Sequence, residues 1–240
     1  MKLSRRGNVV YDEELLGKFC VFKDRLHAGT LLGEACRSVL SEADYVFAIP
    51  MGGVPVGLMV SKVLASKFDI LICRKLLIPW NREAGFGAVS PDGSYFVDEA
   101  FARSIGLSDN DIQEAVEEQL KEIRKRNELL RGGRSYPSLK DLKVVLVDDG
   151  IAAGYTMTAA VGFVRSKKAR EVVIATPTGC LDSLLRLSRS ADLIVCLNIR
   201  SGPWFAVADA YAEWRDLDYE DVLNLLREHG DDVVGIAESL

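Results

Sequence analysis

Five short apolar runs recur along the chain: YVFAIP (45–50), DILICRKLLI (69–78), VVLVDD (144–149), EVVIATP (171–177) and DLIVCLNI (192–199). Between them lie segments with helical spacing of apolar residues, at DRLHAGTLLGEACRSVLS (24–41), VPVGLMVSKVLASKF (54–68), about 154–167 and LDSLLRLSRS (181–190). A strand, a helix and a second strand in succession pair in parallel through a right-handed crossover. The pattern predicts an α/β domain with a mostly parallel five-stranded sheet flanked by helices. Such sheets take ligands beyond the carboxyl ends of their strands.

Two stretches depart from this rhythm. Residues 79–98 (PWNREAGFGAVSPDGSYFVD) hold a turn, SPDGSY, between the short strand-like runs FGAV and YFVD, which reads as a hairpin. Residues 108–131 (SDNDIQEAVEEQLKEIRKRNELLR) read as a helix with Ser108 as N-cap, acids in its first turns and bases at its end. Its charged surface reads as a solvated face or a support for the neighbouring loop, with an oligomer contact as the alternative.

The run VVLVDDGIAAGYT (144–156) carries the chemistry. Its strand delivers Asp148 and Asp149 to the sheet edge. The loop GIAAG that follows has no large side chain, so its backbone N–H groups can wrap a small anion. That loop opens a helix whose first N–H groups lack partners and whose dipole favours negative charge, and Thr156 adds a hydroxyl. A phosphate in the loop, with hydroxyls or a hydrated cation at the acids, satisfies the arrangement, and a phosphorylated sugar supplies both. A receiver domain also pairs acids at a strand end, but near its N-terminus and without a phosphate loop directly after. A plain solvated turn leaves the apolar run, acid pair, loop and Thr156 as coincidence.

A formal net charge of −5 and a pI near 5.3 argue against a nucleic-acid or anionic-membrane partner. The five cysteines form no CxxC pair, which fits reduced thiols in a cytoplasmic protein. Neither a signal-peptide pattern nor an apolar run of spanning length is expected.

VVLVDDGIAAGYT resembles the ribose-phosphate-binding motif of the type I phosphoribosyltransferases. AIPMGGVPVG (48–57) resembles the family's pyrophosphate loop, and CRK (73–75) its basic strand end. The likeness extends to a bacterial and archaeal group of predicted phosphoribosyltransferases through DRLHAG, RK, FGAV-x-PDG and DDGIA-x-G-x-T, over roughly residues 22–225. The resemblance implies the type I phosphoribosyltransferase fold in a single domain over 1–240. Residues 79–98 would be a flexible catalytic loop or hairpin, 100–135 a helical insertion, and 200–240 a C-terminal hood and tail.

It implies residue roles as well. Asp148 and Asp149 would bind the ribose hydroxyls, partly through Mg²⁺, and with Lys75 form the catalytic candidates. Gly150, Ile151, Ala152, Ala153, Gly154, Tyr155 and Thr156 would cradle the 5′-phosphate. Met51, Gly52 and Gly53 would offer backbone to the pyrophosphate, with Arg74 and Lys75 neutralising it. Trp204, Phe205, Val207 and Asp209 would form the acceptor pocket. Two positions depart from the family pattern. Ala152 stands where purine-type relatives carry a third acid, and Ala153 where a threonine is usual. The implied activity is Mg²⁺-dependent transfer of phosphoribosyl from phosphoribosyl pyrophosphate to an unidentified nitrogenous base, or its reversal. A binding protein that senses phosphoribosyl pyrophosphate without transferring it is the alternative, and homo-oligomerisation is left open. A phosphatase built on the acid pair lacks a neighbouring nucleophile.

Overall fold

In β8 (Lys143–Val147) Val144 to Val147 are fully buried, because the strand lies in the middle of a sheet covered on both faces. The computed structural model describes residues 1–202 and 204–229, apart from the side chain of Glu83. Around β8 the seven-stranded sheet runs β1 (Leu3–Arg6), β2 (Val9–Asp12), β10 (Leu193–Arg200), β9 (Glu171–Cys180), β8, β3 (Tyr45–Ala48), β4 (Lys67–Ile70). Every neighbouring pair is parallel except β1 with β2.

Successive strand residues point to opposite faces, and the core divides accordingly. Val46, Ala48, Val145, Val147, Val173 and Ala175 share one apolar cluster with α1 (Arg25–Val39) and α2 (Gly53–Leu64). Phe47, Val144, Leu146, Val172 and Ile174 share the other with α5 (Tyr155–Ser166) and α6 (Leu181–Leu187). The α/β architecture expected from the sequence is therefore the observed one, with differences at its margins.

The sheet has seven strands where five were expected. The added pair is the N-terminal hairpin β1–β2, whose short run contributes only Val9 and Val10 to the buried apolar set. The run 69–78 is not one strand. It leaves the sheet after Ile70, passes through buried Leu71, Ile72 and Cys73, and re-enters as β5 (Arg74–Ile78) in a second sheet. The Tyr136 hydroxyl takes up the Ile72 N–H at 3.1 Å. Because the residues at the break are as apolar and buried as the strands around them, the sequence hides it.

The expected hairpin is present as β6 (Asn81–Val89) and β7 (Tyr95–Val97), and β5 joins it to make an antiparallel three-stranded sheet. A short helix, α3 (Glu99–Ser104), follows it at the start of the expected helical insertion and precedes the charged helix read there. The charged helix is α4 (Asp109–Arg131), with Ser108 and Asp111 exchanging side-chain and backbone hydrogen bonds as a capping box. Within the expected hood, a 3₁₀ turn (Ala208–Ala210) precedes α7 (Tyr219–His229). Pro203 and the tail from 230 to 240 lie outside the described residues.

Helices α1 and α2 meet through glycine. A Cβ at Gly29 would stand 2.7 Å from the Val56 carbonyl oxygen and 2.9 Å from the Met59 Cβ. Valine there changes helix propensity little, so the steric term decides. Gly29→Val is expected to destabilise the fold by about 1–3 kcal/mol, read as a lower urea midpoint. An unchanged midpoint would mean that the helices separate freely.

Candidate active site

Strands β3 and β8 are parallel neighbours, with Ala48 opposite Val147, so the loops leaving their carboxyl ends emerge side by side. One carries Met51 and Gly52 into α2, the other Asp148 and Asp149 toward α5. The Pro50–Met51 peptide is cis. The two loops touch at Gly52, where a Cβ would fall 1.8 Å from Asp149 Oδ2. Only glycine leaves room for that carboxylate at the start of α2, where the helix dipole favours an anion.

Asp149 is held from other directions too. Arg25 Nε, in the first turn of α1, donates to Asp149 Oδ2 at 2.8 Å, with both side chains largely buried. The Arg25 guanidinium lies 3.8 Å from the Trp214 ring centre and donates to the Arg215 carbonyl at 2.9 Å. The Tyr211 hydroxyl donates to the Asp149 carbonyl at 2.6 Å. The Asp149 N–H donates to Asp148 Oδ1 at 2.9 Å. Burial, then the adjacent Asp149 charge, push the Asp148 carboxyl well above its usual range, while Lys75 opposes them.

The acids lie in a cleft of about 610 Å³ whose lining includes Met51, Gly52, Arg74, Lys75, the whole of residues 148–157 and Val207. Its small-residue loop is anchored to β9, since the Ile151 N–H donates to the Thr178 carbonyl at 3.0 Å and the Ile151 carbonyl accepts from Cys180 at 2.8 Å. Ile151 therefore serves as an anchor, and its N–H is not free for the expected phosphate cradle. Ala152 and Ala153 are exposed beyond it. Gly154 sits at φ +79°, the left-handed conformation that turns the chain into α5. Gly150 is small because Val207 covers it, with its side chain 2.3 Å from where a Cβ would be. Tyr155 turns away to donate to Asp98 Oδ2 at 3.0 Å, and burial followed by that bond lifts its phenol to about 12.

Of the expected pyrophosphate set, Met51, Gly52, Arg74 and Lys75 line the cleft. Gly53 does not. Its N–H donates to the Ile49 carbonyl at 3.0 Å, and a Cβ on it would meet Val147 and Asp148 backbone, so it packs beneath the acids. Arg74 donates through Nε to Gln119 Oε1 at 3.1 Å. The expected acceptor residues diverge more. Trp204 is 91% exposed, the Arg200 guanidinium lies 4.5 Å from the Phe205 ring centre, and Asp209 pairs with Arg200 at 3.5 Å. Of these four, only Val207 lines the cleft, and Trp214, Asp216 and Leu217 from further along the hood line it as well.

Arg25, Arg126 and Trp214 line the cleft without having been expected there. Arg25 carried a signal: a cation in the first turn of a helix opposes the dipole, which calls for a compensating anion. Arg126 stands within a run of charged residues that gives it no distinction.

Among the described residues no group of three or more His, Cys, Asp or Glu is placed to hold a metal ion. Mg²⁺ does not need such a cage, since it binds through one or two carboxylates together with phosphate and water oxygens. Two hard carboxylates beside an anion loop fit that chemistry.

The cleft thus sets an acid pair and a small-residue loop at the carboxyl edge of a parallel α/β sheet. Residues 26–211 match the phosphoribosyl transferase domain family. The chain belongs to that family. It is 37% identical over 213 residues to the Mycobacterium tuberculosis H37Rv protein named "Putative phosphoribosyl transferase Rv0571c", covering 88% of this chain and 48% of that protein. The counterpart MT0597 of strain CDC 1551 matches to the same extent. The chain thus spans about half the length of the curated relatives it matches. The crystal structure of TT1426 from Thermus thermophilus superposes with a TM-score of 0.71 at 34% identity, covering 86% of this chain and 98% of that one.

The Arg25–Asp149 pair sets up a test. Removing one partner of a buried pair strands the other charge, at a cost of about 3–5 kcal/mol. Arg25→Met is expected to destabilise on that scale in urea unfolding, and Arg25→Met/Asp149→Asn to regain part of the loss. A double variant no more stable than the single one would contradict the coupling.

Proposed function

We propose that the chain transfers a phosphoribosyl group from phosphoribosyl pyrophosphate to a nitrogenous base with the aid of Mg²⁺. One observation carries this reading: the acid pair, the amide loop at the start of α5 and the cations of β5 line a single cleft. A pentose with anionic groups at two ends and hydroxyls between them complements that set of groups. The 5′-phosphate would lie against residues 152–156, where helix N–H groups lack intrahelical partners.

In the reaction the bond from the anomeric carbon to the pyrophosphate oxygen breaks. A ring nitrogen of the base bonds to that carbon, and the base releases its N–H proton. Cationic character grows on the sugar while negative charge grows on the leaving group. Asp148 and Asp149 would orient the sugar through its hydroxyls, and Arg74 and Lys75 would stabilise the departing diphosphate. Asp148 and Asp149 would hold Mg²⁺ through hydroxyls or water, and the ion would supply charge neutralisation to the diphosphate. Ala152 offers no carboxylate, so deprotonation of the base falls to another group. The family resemblance and the relatives' names support a base acceptor in general without choosing one. Among the described residues no helix is long and apolar enough to cross a membrane.

Pyrophosphate release measured with a panel of purine and pyrimidine bases tests the proposal. Release that requires both a base and Mg²⁺, and stops with a chelator, is expected. Tight donor binding with no release for any base would replace the transferase by a sensor of phosphoribosyl pyrophosphate.

A further inference from the structure

Helix α4 presents one face to the cleft. Gln119, 1% exposed, accepts from Arg74, which lines the site. Seven residues on, two helical turns along the same face, Arg126 lines the cleft as well. Its Nε is buried and has no hydrogen-bond partner. Its guanidinium carbon lies 5.6 Å from the ring centre of Tyr219 on α7, a contact with the ring face that leaves the N–H unanswered.

Arg126 and Arg74 also act on each other. Burial, then the Arg126 charge, depress the Arg74 guanidinium below its ordinary value, with Glu122 partly opposing. Two guanidiniums lining one cleft are costly to hold together, and so is a buried donor without an acceptor. A solvated helix surface would spread such charges into water. A polyanion between them would relieve both costs, and a guanidinium's planar fork of donors suits phosphate oxygens.

We infer that Arg126 binds the diphosphate group of the donor beside Arg74 and Lys75, as a third cation supplied by the inserted helix. This rests on the phosphoribosyl-transfer reading of the cleft and adds to it a binding residue from outside the strand-end loops. Arg126 belongs with the diphosphate end because it shares the α4 face of Gln119, which holds Arg74 of β5.

Calorimetric titration of the full chain in Mg²⁺ with inorganic pyrophosphate, and separately with ribose 5-phosphate, tests it. For Arg126→Gln, pyrophosphate affinity is expected to fall about tenfold or more, the range of a charge-assisted hydrogen bond, while ribose 5-phosphate affinity stays within about twofold. Arg126→Lys, which keeps the charge and loses the fork, is expected to fall between wild type and Arg126→Gln. It also carries the test should Arg126→Gln fail to fold. Unchanged pyrophosphate affinity in the variants would overturn the inference, as would an equal loss for both ligands. A wild-type protein that binds neither ligand would instead overturn the transferase reading itself.

Discussion

The Asp149 carboxylate sits where four segments of the chain meet. It rests against Gly52 at the start of α2, pairs with Arg25 from α1, and follows Asp148 at the end of β8. Its carbonyl takes the Tyr211 hydroxyl from the hood. Arg25 then extends the link by stacking on Trp214. A buried carboxylate and guanidinium fix each other because neither tolerates being left alone in a dry setting. The hood, the first helix and two loops of the sheet edge are thus registered through one ion pair.

That registration matters because the cleft is assembled from parts far apart in sequence. The sheet supplies a rigid edge, and the loops on it supply the chemistry. Its acids share one cleft with a small-residue loop anchored to β9 through Ile151 and with cations carried by β5 and α4. Burial first, and a neighbouring like charge second, raise the Asp148 carboxyl and depress the Arg74 guanidinium. Such arrangements hold energy that a ligand of opposite sign can release, which is how a preorganised site differs from an average surface.

What could be read from the sequence was local. The apolar run of β8, its two acids, the small loop and the helix after it follow one another in the chain, so their geometry follows from propensity and helix-end chemistry. The Ser108 N-cap is of the same kind. What escaped was set by tertiary contact. Arg25 and Asp149 are 124 residues apart, and no spacing rule relates them. The break between β4 and β5 falls inside an unbroken apolar run. Gly53 and Ile151 belong to the right loops, but their N–H groups are used by Ile49 and Thr178, which only the fold reveals. In the hood, Trp204, Phe205, Val207 and Asp209 were expected to form the acceptor pocket. Arg200 instead draws Phe205 and Asp209 to itself, and Trp214 takes a place in the cleft wall.

The central claim is that one sheet edge grips an activated pentose at both ends. A crystal structure of the protein grown with phosphoribosyl pyrophosphate and Mg²⁺ tests it most directly. The account predicts density for the 5′-phosphoryl group against residues 152–156 and for the ribose hydroxyls at Asp148 and Asp149. A vacant cleft at saturating donor, or a terminal phosphoryl group bound away from that turn, would contradict it.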